Sequence, residues 1–386
     1  MYKGPVIDAC VNHAWANQLE LVEYMSPGWR EYLGVPNLLP GGGGMITIAP
    51  ALAYQRPGGS PYTEGAVGID GAIPVSSYGD LERALLSQPN LERVVLSFDT
   101  SALAISLINP YLTAQIARAA NDWTIERWLS RDRRLWSLML VPTQMPDEAA
   151  AEIRRVGKHQ GIVGVLMAGN GFARTFGHPV YHPIYQAAVE MNLPIVIKAG
   201  AESLSDSPAL STGAGEAATY SEFRILECDS LMTHVATMIT QGVFSKFPSL
   251  RVLVIGGGRS WVPSFLWRFD AAFKGLRREV PWVQKLPSEY FREHVRVASY
   301  PRDPVPTGSK AKAIFDTLDD ITCFASGYPY WDCLLTSETA ETLNAESARN
   351  VMYENARFLF DRSGGIAGAA KVVNLAGDLP TLNQEI

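Results

Sequence analysis

Eight short apolar runs, each followed by a stretch of helical periodicity, constrain what this chain can fold into. The runs lie at residues 6–8, 93–98, 135–141, 162–167, 194–198, 251–255, 296–299 and 322–325. Turn residues bound them, as they bound the strands of a fully buried parallel sheet. Helical patterns are expected between them over 80–88, 110–129, 146–159, 179–191, 221–244, 261–274 and 310–318, with a last one over 345–360. Strand and helix alternating in this way predict an α/β fold, a (β/α)8 TIM barrel with its site on the loops that follow the strands. At 386 residues, one such domain with insertions (1–386) fits better than two domains.

Three of these strands end unusually. Leu193-Pro-Ile-Val-Ile-Lys198 closes on an ammonium, Arg251-Val-Leu-Val-Ile255 runs into Gly256-Gly-Gly-Arg-Ser260, and the eighth runs into Gly327-Tyr-Pro-Tyr-Trp-Asp332. Burial lowers a lysine's pKa and makes it a base or an imine-forming nucleophile. The alternative is a structural cation paired with Glu202 or Asp8. The glycines of 256–258 ahead of a helix suggest an anion nest, with Arg259 available to clamp a carboxylate. His13, read as standing at the mouth of the first strand, is a candidate general base, or else a histidine tied to a loop carbonyl. His182 and His234 are expected to pack, and His159 and His294 to lie on the surface.

Longer motifs carry a family resemblance. Gly242-Val-Phe-Ser-Lys-Phe-Pro-Ser-Leu-Arg-Val, Trp261-Val-Pro with Leu-Trp-Arg-Phe-Asp270, and Pro287-Ser-Glu-Tyr-Phe-Arg-Glu-His-Val-Arg296 resemble the amidohydrolase-2 family, the group around aminocarboxymuconate-semialdehyde decarboxylase. Val6-Ile-Asp-Ala-Cys-Val-Asn-His13, Trp29-Arg-Glu-Tyr-Leu33, Tyr328-Pro-Tyr-Trp-Asp332 and Tyr353-Glu-Asn-Ala-Arg357 extend the resemblance over nearly the whole chain.

That family holds a divalent metal, and the resemblance places its ligand positions on Cys10, Asn12, Lys198, Gly256 and Gly327, with the histidine after the eighth strand replaced by Tyr330. A hydrolytic metal centre needs several N or O donors and one open position. Cys10 and Asn12 cannot supply that set, and Lys198 repels a cation. The expectation is therefore a metal-free relative without a cofactor, with Lys198 at the place of the missing ion. Gly256 and Gly327 are expected to leave a more open, more positive pocket suited to an anionic or aromatic ligand. Asn12, His13 and Tyr330 would transfer protons or orient, while Cys10, Arg259 and His178 would line the pocket. Asp8 is expected to be structural, and so is Trp331.

Two insertions, 36–79 and 200–220, read as a lid and a flap at the barrel mouth. A net charge of −6 without a basic cluster argues against nucleic acid as partner. The four cysteines lack CxxC spacing and are expected to be reduced. Without a signal-peptide pattern or a long apolar stretch, no membrane role is expected and the location is expected to be cytoplasmic. Two functions remain open. One is a metal-independent enzyme acting on a small carboxylated or carbonyl-bearing ring substrate by C–C lyase, hydrolytic or isomerase chemistry. The other is a catalytically silent subunit assembled with an intact amidohydrolase paralogue. A homo- or hetero-oligomer is expected in either case.

Overall fold

The computed structural model describes residues 2–16, 19–34, 62–66, 68, 73–88, 90–98, 109–168, 174–198, 219–303 and 308–362. Among them, β1 (Val6–His13), β2 (Leu91–Phe98), β3 (Leu135–Leu140), β4 (Ile162–Met167), β5 (Ile195–Lys198), β6 (Val252–Ile255), β7 (Val295–Ala298) and β8 (Thr322–Cys323) form one sheet in chain order. Each neighbouring pair is parallel. The seam between first and last strands is closed by main-chain hydrogen bonds, Ala9 N to Phe324 O at 2.9 Å and Gly327 N to Cys10 O at 3.0 Å. The expected TIM barrel is present, with its eight strands where the apolar runs lie.

Burial explains why those runs are readable. The strands are covered on both faces, by the barrel interior and by the surrounding helices, so β1 and β4 are buried along their full lengths. Pro110–Thr124 opens on Asn109, whose side chain accepts from the amides of Tyr111 and Leu112. Tyr220–Thr240 opens on a capping box between Thr219 and Glu222. The single helix expected over 221–244 is split into Tyr220–Thr240 and Val243–Lys246, because Gly242 takes a left-handed φ of 76° between them. The helix Pro287–His294 has no counterpart among the expected helices, and it buries His294, contrary to the surface position expected for that residue. Its Nδ1 lies 2.9 Å from Leu250 O and its ring stacks on Phe244.

Of the first insertion, residues 36–61, 67 and 69–72 lie outside the described residues. Its returning limb runs beside the mouth. Tyr62 pairs with Tyr330 in an antiparallel bridge, Thr63 N donates to Pro329 O at 2.8 Å, and Val75 O accepts from Ala14 N. Residues 200–218 of the second insertion, including Glu202, also lie outside the described residues. All four cysteines are free. Among the described residues no helix is long and apolar enough to cross a membrane.

Candidate functional site

The first strand decides which side chains reach the barrel interior. The apolar pattern predicts its end at Asp8, yet it runs to His13, pairing Asn12 with Ser97 and His13 with Phe98. Successive side chains of a strand point to opposite faces. A register shift lies between Asp8 and Val11; beside it the Cys10 thiol and the Asn12 amide meet on one face, and His13, next to Asn12, takes the other.

Lys198, the last residue of β5, meets that inner row. Its Nζ donates to Asn12 Oδ1 at 2.7 Å and to the Phe98 main-chain oxygen at 2.5 Å. With its oxygen engaged by the ammonium, the Asn12 amide turns its nitrogen to Gly327 O at 3.1 Å and Tyr328 O at 3.4 Å. One side-chain pair thus ties the ends of β1, β2, β5 and the segment after β8. The Cys10 thiol lies 3.8 Å from Asn12 Oδ1, and burial pushes it up to about 11 despite the nearby Lys198 charge, so it stays protonated at neutral pH.

Asp8 does not pair with Lys198. Its Oδ1 accepts from the main-chain amides of Cys10 at 3.2 Å and Ser326 at 2.9 Å, and burial raises its carboxyl to about 6 against those bonds. It holds the β1–β8 seam, the structural role expected of it.

His13 does not stand at the mouth. The ring is fully buried between the sheet and the helix Pro110–Thr124, with Phe98 at 4.4 Å and Trp123 at 5.5 Å between centroids. Nδ1 lies 2.7 Å from Ser97 O and Nε2 lies 3.1 Å from Thr124 Oγ1. Burial lowers its pKa to about 4, which keeps it neutral and leaves it unable to serve a ligand inside the barrel.

The glycine nest exists, and the chain fills it. Gly256 and Gly258 adopt φ of 102° and 61°, and the amides of Arg259 and Ser260 donate to Asp303 Oδ2 at 2.5 and 2.9 Å. A Cβ on Gly258 would collide with that carboxylate. Arg259 clamps no ligand carboxylate in this arrangement. Its Nη1 pairs with Asp319 at 2.9 Å, and it lines a separate cavity of about 470 Å³ together with Arg302 and Glu338. Gly327, with φ of 70°, is filled in the same way. A Cβ there would run into the Tyr300 ring, so the open space expected at this strand end is taken by an aromatic side chain.

Tyr330 stacks between two rings, Tyr62 at 6.3 Å and Tyr300 at 6.4 Å. His178 serves its own turn, its Nδ1 accepting from Val180 N at the start of Pro179–Tyr181. The structure thus gathers Cys10, Asn12, Lys198, Gly327 and Tyr330 at one mouth, and turns His13, Arg259 and His178 elsewhere. Sequence reasoning misses the Phe98 carbonyl, Tyr300 and Asp303. The first carries no side-chain signal. Tyr300 and Asp303 are within its reach, since both follow directly on the seventh strand.

These residues do not suit a divalent ion. Asn12 Oδ1 already serves an ammonium, Cys10 is a protonated thiol, and Lys198 adds positive charge. Among the described residues no group of three or more His, Cys, Asp or Glu side chains is arranged to hold a metal.

A family model described as amidohydrolase matches residues 106–362. The chain belongs to the amidohydrolase family. It is 25% identical over 206 residues to a gamma-resorcylate decarboxylase of Rhodococcus jostii, covering 50% of this chain and 59% of that protein. A gamma-resorcylate decarboxylase of Rhizobium sp. (strain MTP-10005) is 23% identical over 297 residues, or 74% of this chain and 88% of the relative. Among solved structures, a 5-carboxyvanillate decarboxylase from Sphingomonas paucimobilis superposes with a TM-score of 0.62 at 19% identity, over 92% of this chain and 98% of the other. A dihydroxybenzoic acid decarboxylase from Polaromonas sp. JS666, solved with bound manganese and 2-nitroresorcinol, gives 0.62 at 17% identity over 93% and 97%. At such identities the structures establish the shared amidohydrolase barrel.

Two expectations check this placement. His13, neutral in the fold and titrating near 6.5 once exposed, supplies stability that is present above pH 6.5 and lost as pH falls toward 4. In urea unfolding, the stability difference between parent and His13→Gln should shrink by about 3 kcal/mol from pH 7 to pH 4. A constant difference would mean the ring is not buried. Gly327→Ala should lose roughly 2–4 kcal/mol from left-handed strain and collision with Tyr300. A double-mutant cycle with Tyr300→Ala should return at least about 1 kcal/mol of coupling, and additive losses would contradict the contact.

Proposed function

We propose that this chain is an amidohydrolase-fold enzyme that acts on a small aromatic carboxylate by decarboxylase-like chemistry, with the Lys198 ammonium supplying the positive charge that a metal supplies elsewhere. The observation that carries this reading is the setting of Lys198: at the end of β5, inside the ring of strand ends, held by the neutral oxygens of Asn12 and Phe98. An ammonium fixed at a partly buried strand end attracts an incoming carboxylate or phenolate more strongly than one in bulk water. The gamma-resorcylate decarboxylase relatives give the substrate class its support.

In the reaction so proposed, Lys198 draws in the anionic end of the ring compound, and Asn12 fixes the direction of the ammonium. The phenol of Tyr330, held by its stacked neighbours, orients the ring. When the ring-carbon–carboxylate bond breaks, its electron pair stays on the ring carbon, which takes a proton from the Lys198 ammonium. Carbon dioxide leaves, and the amine regains a proton from solvent. His13, Arg259 and His178 take no part.

A second reading, a silent subunit assembled with an intact paralogue, draws on a different observation. Lys198 and Asn12 satisfy one another, and Tyr300 fills the space over Gly327. Its signature would be co-purification with a metal-containing relative from the native host and no turnover by this chain alone.

Metal content and turnover measured together test the proposal. Protein from native host material should hold well under one zinc, manganese or iron per chain by ICP-MS. It should release carbon dioxide from at least one member of a panel of hydroxylated benzoates, unaffected by chelator. Lys198→Met should lower kcat by about 10²–10³-fold while leaving two buried acceptors unpaired, a loss of roughly 1–3 kcal/mol for each. Lys198→Arg should partly restore binding. Stoichiometric metal whose removal abolishes turnover, or a Met variant as active as the parent, would sink the reading.

A further inference from the structure

A second constellation lies at the same end of the barrel, made of side chains that the proposed chemistry leaves unused. The helix Tyr220–Thr240 carries Arg224 and Glu227 one turn apart. Nη1 of Arg224 lies 3.0 and 2.9 Å from the two Glu227 oxygens, and its Nη2 donates to Asp332 Oδ2. Asp332 belongs to the segment after β8, and its Oδ1 accepts from the Tyr300 hydroxyl, after β7, at 3.2 Å. Through Asp332, the cluster thereby joins three chain segments. The Glu227 and Asp332 side chains are only 6% and 8% exposed.

Charge balance decides how such a cluster behaves. Among the described residues, two buried carboxylates share one cation, which leaves an excess negative charge where water is nearly excluded. The charged groups facing Glu227 are Arg224 on its own helix, Asp332 after β8 and Asp303 after β7. Cys228 beside it and Tyr300 across from it stay neutral, since burial and the neighbouring carboxylates raise both above their ordinary ranges. Asp303 is itself committed to the nest of Arg259 and Ser260. Excess charge in a low dielectric is relieved by taking up a proton. Burial, with Asp332 and Asp303 alongside, raises the Glu227 carboxyl from 4.5 to about 8, against the pull of Arg224.

We propose that Arg224, Glu227 and Asp332 form a proton-dependent latch: with Glu227 protonated, the first turns of the Tyr220–Thr240 helix are held on the segments after β7 and β8, and loss of that proton loosens this side of the barrel mouth. The latch is independent of what the mouth binds. Opened, Glu227 is solvated and titrates near 4.5; closed, it titrates near 8. Closure is therefore fully favoured below the lower value. Opening grows about tenfold per pH unit between the two values and levels off above the higher one.

Hydrogen–deuterium exchange of residues 221–229 between pH 5.5 and 8.5, corrected for the intrinsic pH dependence of amide exchange, reads this directly. The parent should show opening that rises at least about 100-fold from pH 5.5 to 8, while β3 shows no such rise. Glu227→Gln keeps the shape without titrating, so the rise should vanish and protection persist at pH 8.5. Asp332→Asn leaves one carboxylate per cation and should also flatten the profile. A flat profile in the parent, or an undiminished rise in Glu227→Gln, overturns the latch. So does a Gln variant unprotected at every pH, because the contact would then be held by charge and not by the proton.

Discussion

The bond from Lys198 Nζ to Asn12 Oδ1, shared with the Phe98 carbonyl, is the interaction on which the mouth of this barrel depends. A lysine at the end of a buried strand must find oxygen partners or remain outside. Two of its partners, the Asn12 and Phe98 oxygens, come from β1 and β2 and hold the ammonium at the strand ends. The arrangement passes on through Asn12 to the carbonyls of Gly327 and Tyr328. The same residue that carries the charge therefore also helps close the seam between the first and last strands. Removing it would touch shape and charge together, which is why a positively charged replacement separates the two effects better than a neutral one.

The mouth is also shaped by refilling. Gly258 and Gly327 clear space at two strand ends, and the segment after β7 supplies what fills both: the Asp303 carboxylate in the nest and the Tyr300 ring over Gly327. A more open, more positive pocket is the expectation from the glycines. The folded chain instead places its own anion where a ligand anion is expected, and an aromatic wall where a void is expected. Tyr300 further ties its hydroxyl to Asp332, so the wall and the carboxylate cluster beside it are mechanically continuous.

The fold is legible in the sequence because a parallel barrel strand is buried on both faces and reads as an uninterrupted apolar run. All eight runs are strands. β1 is the instructive exception: Asp8, Cys10 and Asn12 interrupt its apolar pattern, so the pattern ends at Asp8 while the strand continues to His13. That difference moves His13 from the mouth to the outer core, since parity along a strand cannot be applied to residues taken for a loop. Lys198 and Asn12 are readable from their types and their places at strand ends. Arg259 is misread because nothing local in a glycine turn tells that a carboxylate 44 residues later will occupy it. The Phe98 carbonyl belongs to the main chain and leaves no trace in residue identity.

The central claim is that Lys198 stands where an anionic ligand needs a cation. A crystal structure of the protein with an aromatic carboxylate such as 2,6-dihydroxybenzoate, with anomalous data at the manganese and zinc edges, tests it most directly. The account predicts a ligand carboxylate or phenolate oxygen within hydrogen-bond distance of Lys198 Nζ and no anomalous scatterer at the strand ends. An ordered metal ion between ligand and protein, or a ligand bound at the mouth without touching Lys198, would contradict it.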